Sequence, residues 1–199
     1  MSAPFRKLAL IGIGLIGSSI ALAARRQGLV ETIAIATRKQ ETLDEARDLG
    51  LGDLYTLDAA EAVRGADLVI LCTPVGAYES VIGTIAPALE PGAILSDVGS
   101  VKGHVVKVLK GHVPAGVSLI PAHPIAGTEH SGPSAGFPEL FAGRWCVLTP
   151  GPEVEAAQTE KLAAFWRAMG SQVECMEPGH HDMVLAITSH IPHLVAYNI

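Results

Sequence analysis

The chain is poor in cysteine, and its three thiols, Cys72, Cys146 and Cys175, are scattered with no C-x-x-C pair among them. That excludes a disulfide frame and a cysteine zinc site; these are small core residues of a reducing compartment. Charge is sparse too, at 17% of residues, and the balance is acidic, a formal −6 with no basic tract. Such a surface has nothing to attract nucleic acid. No apolar run reaches the length of a membrane span. The apolar stretch after Lys7 is broken by glycines and lacks the pattern of a secretion signal. The expectation is a cytoplasmic protein with neither a membrane nor a nucleic-acid partner. Apolar residues are plentiful, at 49% of 199. They suffice for one large domain, or for one domain and part of a second.

The most informative stretch lies near the start. Leu8 to Ile11 is an apolar run of strand length, and Gly12, Gly14 and Gly17 follow in G-x-G-x-x-G spacing. Ser18 to Arg26 then reads as a helix. Between a strand and a helix, this spacing is the dinucleotide fingerprint. Gly12 permits the tight turn, Gly14 lets the backbone approach a pyrophosphate, and Gly17 lets helix and strand pack closely. Leu15 and Ile16, between the glycines, count with them as cofactor-binding residues, and the unpaired N–H groups at the helix N-terminus face the phosphates.

Strand and helix signals alternate along the rest of the chain, which implies a doubly wound α/β fold with a mainly parallel sheet. Strands are expected over Thr32–Ala36, Asp67–Cys72, Ala93–Ser96, Val117–Ile120, Trp145–Thr149 and Gln172–Met176. Helices are expected over Gln40–Leu49, Asp58–Arg64, Val75–Leu89, Lys102–Leu109 and Glu153–Met169, and again from Pro178 onward. Pro121–Phe141, rich in Gly, Pro and Ser, reads as one long loop of the kind that carries function. The sequence divides into a dinucleotide-binding domain over 1–177 and the first helix of another, helical unit over 178–199. Ser189–Ile199 reads as a helix still in progress, whose apolar face needs a second copy or a longer chain.

An acidic residue about 20 positions past the glycine turn holds the ribose hydroxyls in NAD-binding folds. Here that region reads Ile35-Ala36-Thr37-Arg38-Lys39, with no carboxylate until Glu41. A guanidinium suits a 2′-phosphate, so Thr37, Arg38 and Lys39 favour NADP over NAD.

Three further clusters carry chemistry. The first is Asp97-Val-Gly-Ser-Val-Lys102, directly after a strand. Ligands of open α/β sheets sit at the carboxyl ends of strands, so Ser100 is placed to meet the nicotinamide. The second is Ala122-His-Pro-Ile-Ala-Gly-Thr-Glu-His-Ser-Gly-Pro133. His123 in this loop is the candidate general base for dehydrogenating an alcohol carbon, and Ser100 could hold its ring or bridge it to the cofactor. The third is His180-His181-Asp182 with Ser189-His190-Ile-Pro-His193. His190 and His193 share a helix face, but lack the companions of a metal site, so no metal is expected.

These motifs, in this order, resemble the prephenate/arogenate dehydrogenase (cyclohexadienyl dehydrogenase) family of tyrosine biosynthesis. The resemblance spans essentially the whole chain. It implies a Rossmann-type fold and an oxidative decarboxylation: hydride passes to NADP or NAD, and loss of CO2 aromatises the ring of prephenate or arogenate. It implies that His123 bonds the substrate hydroxyl and that Ser100 contacts both this histidine and the nicotinamide. Thr128 and Glu129 match loop positions near substrate, Ser189, His190 and His193 match the helix lining the substrate pocket, and Thr73-Pro74 match the cofactor-side turn. Members continue into a helical dimerisation domain with an arginine for a substrate carboxylate, so a homodimer is implied. The family often has an acid where Thr37 stands, which agrees with NADP. Another dehydrogenase of the β-hydroxyacid type and a catalytically inert nucleotide-binding domain are the competing readings.

Overall fold

The computed structural model describes residues 3–190, with only the backbone course given for Ser189 and His190. His193, one of the expected substrate residues, lies outside the described residues. The elements run β1 (Phe5–Ile11), α1 (Leu15–Arg26), β2 (Val30–Ala36), α2 (Gln40–Asp48), β3 (Leu54–Thr56), α3 (Ala59–Val63), β4 (Leu68–Leu71), α4 (Tyr78–Ile85) and β5 (Ile94–Asp97). Then come α5 (Lys102–Leu109), β6 (Ser118–Leu119), β7 (Ala122–Pro124), β8 (Trp145–Leu148), α6 (Ala156–Ala168), β9 (Gln172–Cys175) and α7 (Pro178–Leu185). A π-helical turn, Ala186–His190, continues α7.

Six strands form a parallel sheet in the order β3-β2-β1-β4-β5-β6. This is the doubly wound arrangement, with the strand order reversing across β1 and β4. Successive side chains of a strand point to opposite faces, and β1 shows why both faces need helices. Leu8 and Leu10 enter a core with Ile20 and Ala24 of α1, Leu43 of α2, and Phe165 and Trp166 of α6. Ala9 and Ile11 enter the opposite core with Val63 of α3, Ile82 of α4 and Val105 of α5. Every one of these residues is buried.

Three differences from the sequence reading bear on the site. The Pro121–Phe141 stretch is not one loop: it opens with β7, so His123 stands in a strand. β7 pairs antiparallel with β8, and β8 pairs parallel with β9, which makes a second, three-stranded sheet. The Val75–Leu89 helix is broken into a 3₁₀ turn, α4 and a second 3₁₀ turn over Ala86–Ala88. Pro87 explains the second break, because it has no N–H for the α-helical ladder.

Candidate active site

The glycine turn is built as its spacing predicts. Gly12 has a φ of +97°, and a Cβ there would stand 2.8 Å from the carbonyl carbon and oxygen of Cys72. Only glycine takes that conformation without strain. A Cβ on Gly17 would lie 2.7 Å from the Gly12 carbonyl oxygen, so the helix can approach the turn only without a side chain. At Gly14, by contrast, a Cβ would meet nothing within 4 Å. The protein does not need glycine there for its own packing; the open space lies on the ligand side. α1 starts here with no side-chain cap and no acid in its first turn, so its first N–H groups remain available to an anion.

A cleft of about 740 Å³ runs over this turn. Gly12 and Gly14 line it, with Thr37 and Arg38 beyond β2 and Thr73 and Pro74 beyond β4. The Thr73 Oγ1 is buried without a hydrogen-bond partner among the described residues. A glycine cradle open to ligand, an uncapped helix start and an unpartnered hydroxyl in one wall fit a dinucleotide. Lys39 stands at the start of α2 and is exposed. Gly132 and Pro133 also line the cleft, and the residues that follow are tied to α2 and α1: Ser134 N–H donates to Glu45 Oε1 (3.1 Å) and Phe137 N–H to Ser19 Oγ (3.1 Å).

The second half of the site is organised by an ion pair that the sequence reading did not foresee. Asp97 and Lys102 are both fully buried. Lys102 Nζ donates to both carboxylate oxygens (2.7 and 2.6 Å) and to the Ala122 carbonyl (2.7 Å). Asp97 also accepts from the N–H groups of Gly99 (2.7 Å) and Ala122 (3.1 Å) and from the Tyr78 hydroxyl (3.2 Å). The pair therefore ties β7 to the carboxyl end of β5. Burial pulls the Lys102 ammonium below its ordinary pKa, and the facing Asp97 carboxylate opposes that pull. The same burial pushes the Tyr78 hydroxyl upward, helped by the negative charge of Asp97.

His123, one residue after this anchor, is buried on β7. Its Nδ1 lies 2.9 Å from Nε2 of His181 on α7. The Nδ1 of His181 lies 2.8 Å from Asp182 Oδ1. Asp182 in turn accepts from the N–H groups of Lys102 (2.7 Å) and Gly103 (2.9 Å). It thereby caps α5, whose own preceding residue supplies no cap. His181 and Asp182 were visible in the sequence, but only as neighbours. The signal that could have singled out Asp182 is the uncapped start of α5, which demands an acceptor from elsewhere.

The other expected residues are placed differently. Ser100 is exposed in the turn between β5 and α5, two residues before Lys102. Thr128 and Glu129 are exposed in the loop after β7, where Thr128 Oγ1 accepts from His130 N–H (3.2 Å) and Glu129 faces His130 (3.5 Å). The backbone of Ser189 and His190 lies in the π-helical turn after α7. Among the described residues, no group of three His, Cys, Asp or Glu could hold a metal. No helix among them is long and apolar enough to cross a membrane.

Residues 20–175 match the family described as prephenate dehydrogenase, nucleotide-binding domain. The chain belongs to the prephenate dehydrogenase family. Cyclohexadienyl dehydrogenase of Zymomonas mobilis is 44% identical over 98% of the chain and 66% of its own length. Prephenate dehydrogenase of Bacillus subtilis is 31% identical over 96% of the chain and 52% of its own length. The chain thus spans about two thirds of one curated relative and about half of the other. Among solved structures, prephenate dehydrogenase from A. aeolicus, in complex with hydroxyphenyl propionate and NAD+, superposes with a TM-score of 0.89 at 31% identity. That match covers 97% of the chain and 67% of the solved one.

Proposed function

We propose that the chain is the cofactor-binding part of an enzyme that oxidatively decarboxylates prephenate or arogenate, with hydride transfer to NADP or NAD. One observation carries the reading: the Asp97–Lys102 pair holds the backbone of Ala122, and so the buried imidazole of His123 beside it, at the carboxyl end of β5, two strands over from the β1 that bears the glycine turn. A nicotinamide held in the cleft would supply the hydride acceptor for the ring carbon that bears the substrate hydroxyl. His123 takes the hydroxyl proton as the hydride leaves and returns it to that oxygen as CO2 departs and the ring becomes aromatic. Aromatisation drives the step, so the protein has chiefly to orient the reactants and supply a base. Ser100, at the carboxyl end of β5, is the proposed contact between His123 and the cofactor. Thr128, Glu129, Ser189, His190 and His193 are the proposed substrate-side residues.

NADP is the favoured cofactor. Thr37 and Arg38 line the cleft where an acid would hold the NAD ribose. Glu45, the acid that also lines it, already accepts a backbone N–H from Ser134. The A. aeolicus relative holds NAD+, so the preference is a property to measure in this chain. Arg38→Ala is expected to lower kcat/KM for NADP by roughly ten- to a hundredfold, the weight of hydrogen bonds to a charged group, and to spare NAD. Equal losses with both cofactors would remove the assignment. A homodimer, a cytoplasmic location and a helical unit beginning near Pro178 belong to the same reading; light scattering on the protein tests the first.

The deciding assay mixes the protein with NADP or NAD and with prephenate or arogenate, and follows absorbance of the reduced cofactor. His123→Asn should cut kcat by about 10²–10⁴ and leave cofactor affinity nearly unchanged. A variant with near-normal kcat would end the base assignment.

A further inference from the structure

We propose that His181 and Asp182 are positioning residues that fix His123 as its Nδ1–H tautomer, leaving Nε2 as the bare nitrogen. The inference deepens the reading of His123 as the proton acceptor and rests on it. It follows from the donor and acceptor inventory of three side chains. Asp182 is pinned by the N–H groups of Lys102 and Gly103. Burial alone would push its carboxyl up. The hydrogen bonds from His181 and those two N–H groups outweigh that and hold it below the usual carboxylate range. An ionised carboxylate only accepts, so the hydrogen between Asp182 Oδ1 and His181 Nδ1 sits on the histidine. Neutral His181 then has only a lone pair at Nε2. The 2.9 Å contact from that Nε2 to His123 Nδ1 needs one hydrogen, and His123 must supply it. When neutral, His123 therefore carries no hydrogen on Nε2.

The opposite arrangement needs a cationic His181 that donates from Nε2 and leaves His123 in the wrong tautomer. Its surroundings disfavour that charge. His181 is fully buried, and burial lowers its pKa most; the Lys102 ammonium acts in the same direction, while Asp182 and Asp97 oppose it. Among the described residues, the charged groups facing the two rings come from three elements: Asp97 at the end of β5, Lys102 on α5 and Asp182 on α7. Tyr78 from α4 bonds Asp97, and Cys146 on β8 is held as a neutral thiol, chiefly by burial. The rings meet edge to face, with centroids 5.1 Å apart and planes at 66°. Ring orientation is thus set as well as tautomer. When His123 takes the substrate proton on Nε2, its Nδ1–H stays on His181, and the Asp182 carboxylate lies one ring away from the new positive charge. No second proton moves. A tautomer fixed by the hydrogen bond at the other ring nitrogen is the means by which a histidine base is readied.

The test is nitrogen-15 NMR of the protein labelled at histidine, with the His123 signals assigned by their loss in His123→Asn. At a pH where His123 is neutral, its Nδ1 should show a protonated-nitrogen shift and its Nε2 a bare-nitrogen shift. In His181→Phe, which keeps a ring but offers no acceptor, His123 should lose that preference. kcat should fall on the order of 10²-fold, as when an outer partner of a functional histidine is removed, with cofactor Kd within about twofold. His181→Gln returns an acceptor and should recover most of kcat. Protonated Nε2 in the native protein overturns the proposal, as does an unchanged His123 tautomer in His181→Phe. The native spectrum decides even if the Phe variant does not fold. The spectra are independent of turnover, so a His123→Asn variant with normal kcat would sink the base assignment alone.

Discussion

Replacing Lys102 with methionine removes one charge from a site that is closed to water. The methionine follows the same aliphatic path, so the lesion is electrostatic. Three hydrogen bonds go with Nζ, two to Asp97 and one to the Ala122 carbonyl. Asp97 keeps Gly99 N–H, Ala122 N–H and the Tyr78 hydroxyl, but it has no countercharge, and both partners were fully buried. Breaking such a pair from one side costs about 3–5 kcal/mol. That is a large part of the roughly 5–15 kcal/mol that holds a domain folded. At roughly 2–4 °C per kcal/mol for a chain of this size, Tm should drop by about 6–20 °C. Urea unfolding can be followed by fluorescence of Trp166, which is fully buried. Added salt should leave the deficit unchanged, because ions do not reach a buried pair as they do a surface one. The double variant Asp97→Asn/Lys102→Met removes both charges and should be more stable than the sum of the two single losses predicts, by about 0.5–3 kcal/mol. A single variant that loses under about 1 kcal/mol, or strict additivity in the double, would refute the reasoning.

Other outcomes are equally specific. Gly14→Ala should leave Tm nearly unchanged, since its methyl meets no protein atom within 4 Å, yet it should weaken cofactor binding in a direct titration by on the order of tenfold or more, because the backbone must approach the pyrophosphate there. Gly12→Ala should instead lose both, because its Cβ would meet the Cys72 backbone at 2.8 Å. Acid should destabilise the fold in two stages. The pKa of His181 is lowered by burial, so the unfolded state binds a proton first, and stability falls as pH drops below about 6.5. Asp182 is held low by its hydrogen bonds, so its contribution is full above about pH 4 and is lost only as pH falls through its lower folded value. His181→Gln should abolish the first stage of the measured stability–pH curve and spare the second.

What was legible in the sequence was what is local. The glycine turn needs only its own spacing and its flanking strand and helix, and Gly12 makes the tight turn and Gly17 the close helix approach read from it. The buried strands Leu68–Leu71 and Ile94–Asp97 were visible as apolar runs. β7 was not, because it is three residues long, ends in a proline, and is held by a partner strand more than 20 residues away. β3, also three residues, sits at the sheet edge with no apolar run to mark it. The Asp97–Lys102 pair was quoted within a motif, yet nothing in a five-residue spacing shows that both ends turn inward. The bond between His123 and His181 spans 58 positions. Such contacts arise only once α7 is laid across the start of α5.

The two halves of the site therefore rest on different supports. The cradle sits on β1, α1 and β4, where backbone geometry alone fixes Gly12 and Gly17. The imidazole sits on a short strand of the second sheet, whose place depends on Asp97 and Lys102 below it and His181 beside it. A three-residue strand has few ladder bonds of its own with which to hold a side chain to the tolerance that the proposed proton and hydride transfer would demand. The buried pair supplies what the strand lacks: Lys102 and Asp97 grip both the carbonyl and the N–H of Ala122, the residue next to the imidazole. Neutralising that pair should fall on kcat far more than on cofactor Kd, while Gly14→Ala should do the reverse. A doubly neutralised variant that stayed folded, bound cofactor poorly and turned over normally when saturated would show that the pair serves the cradle instead.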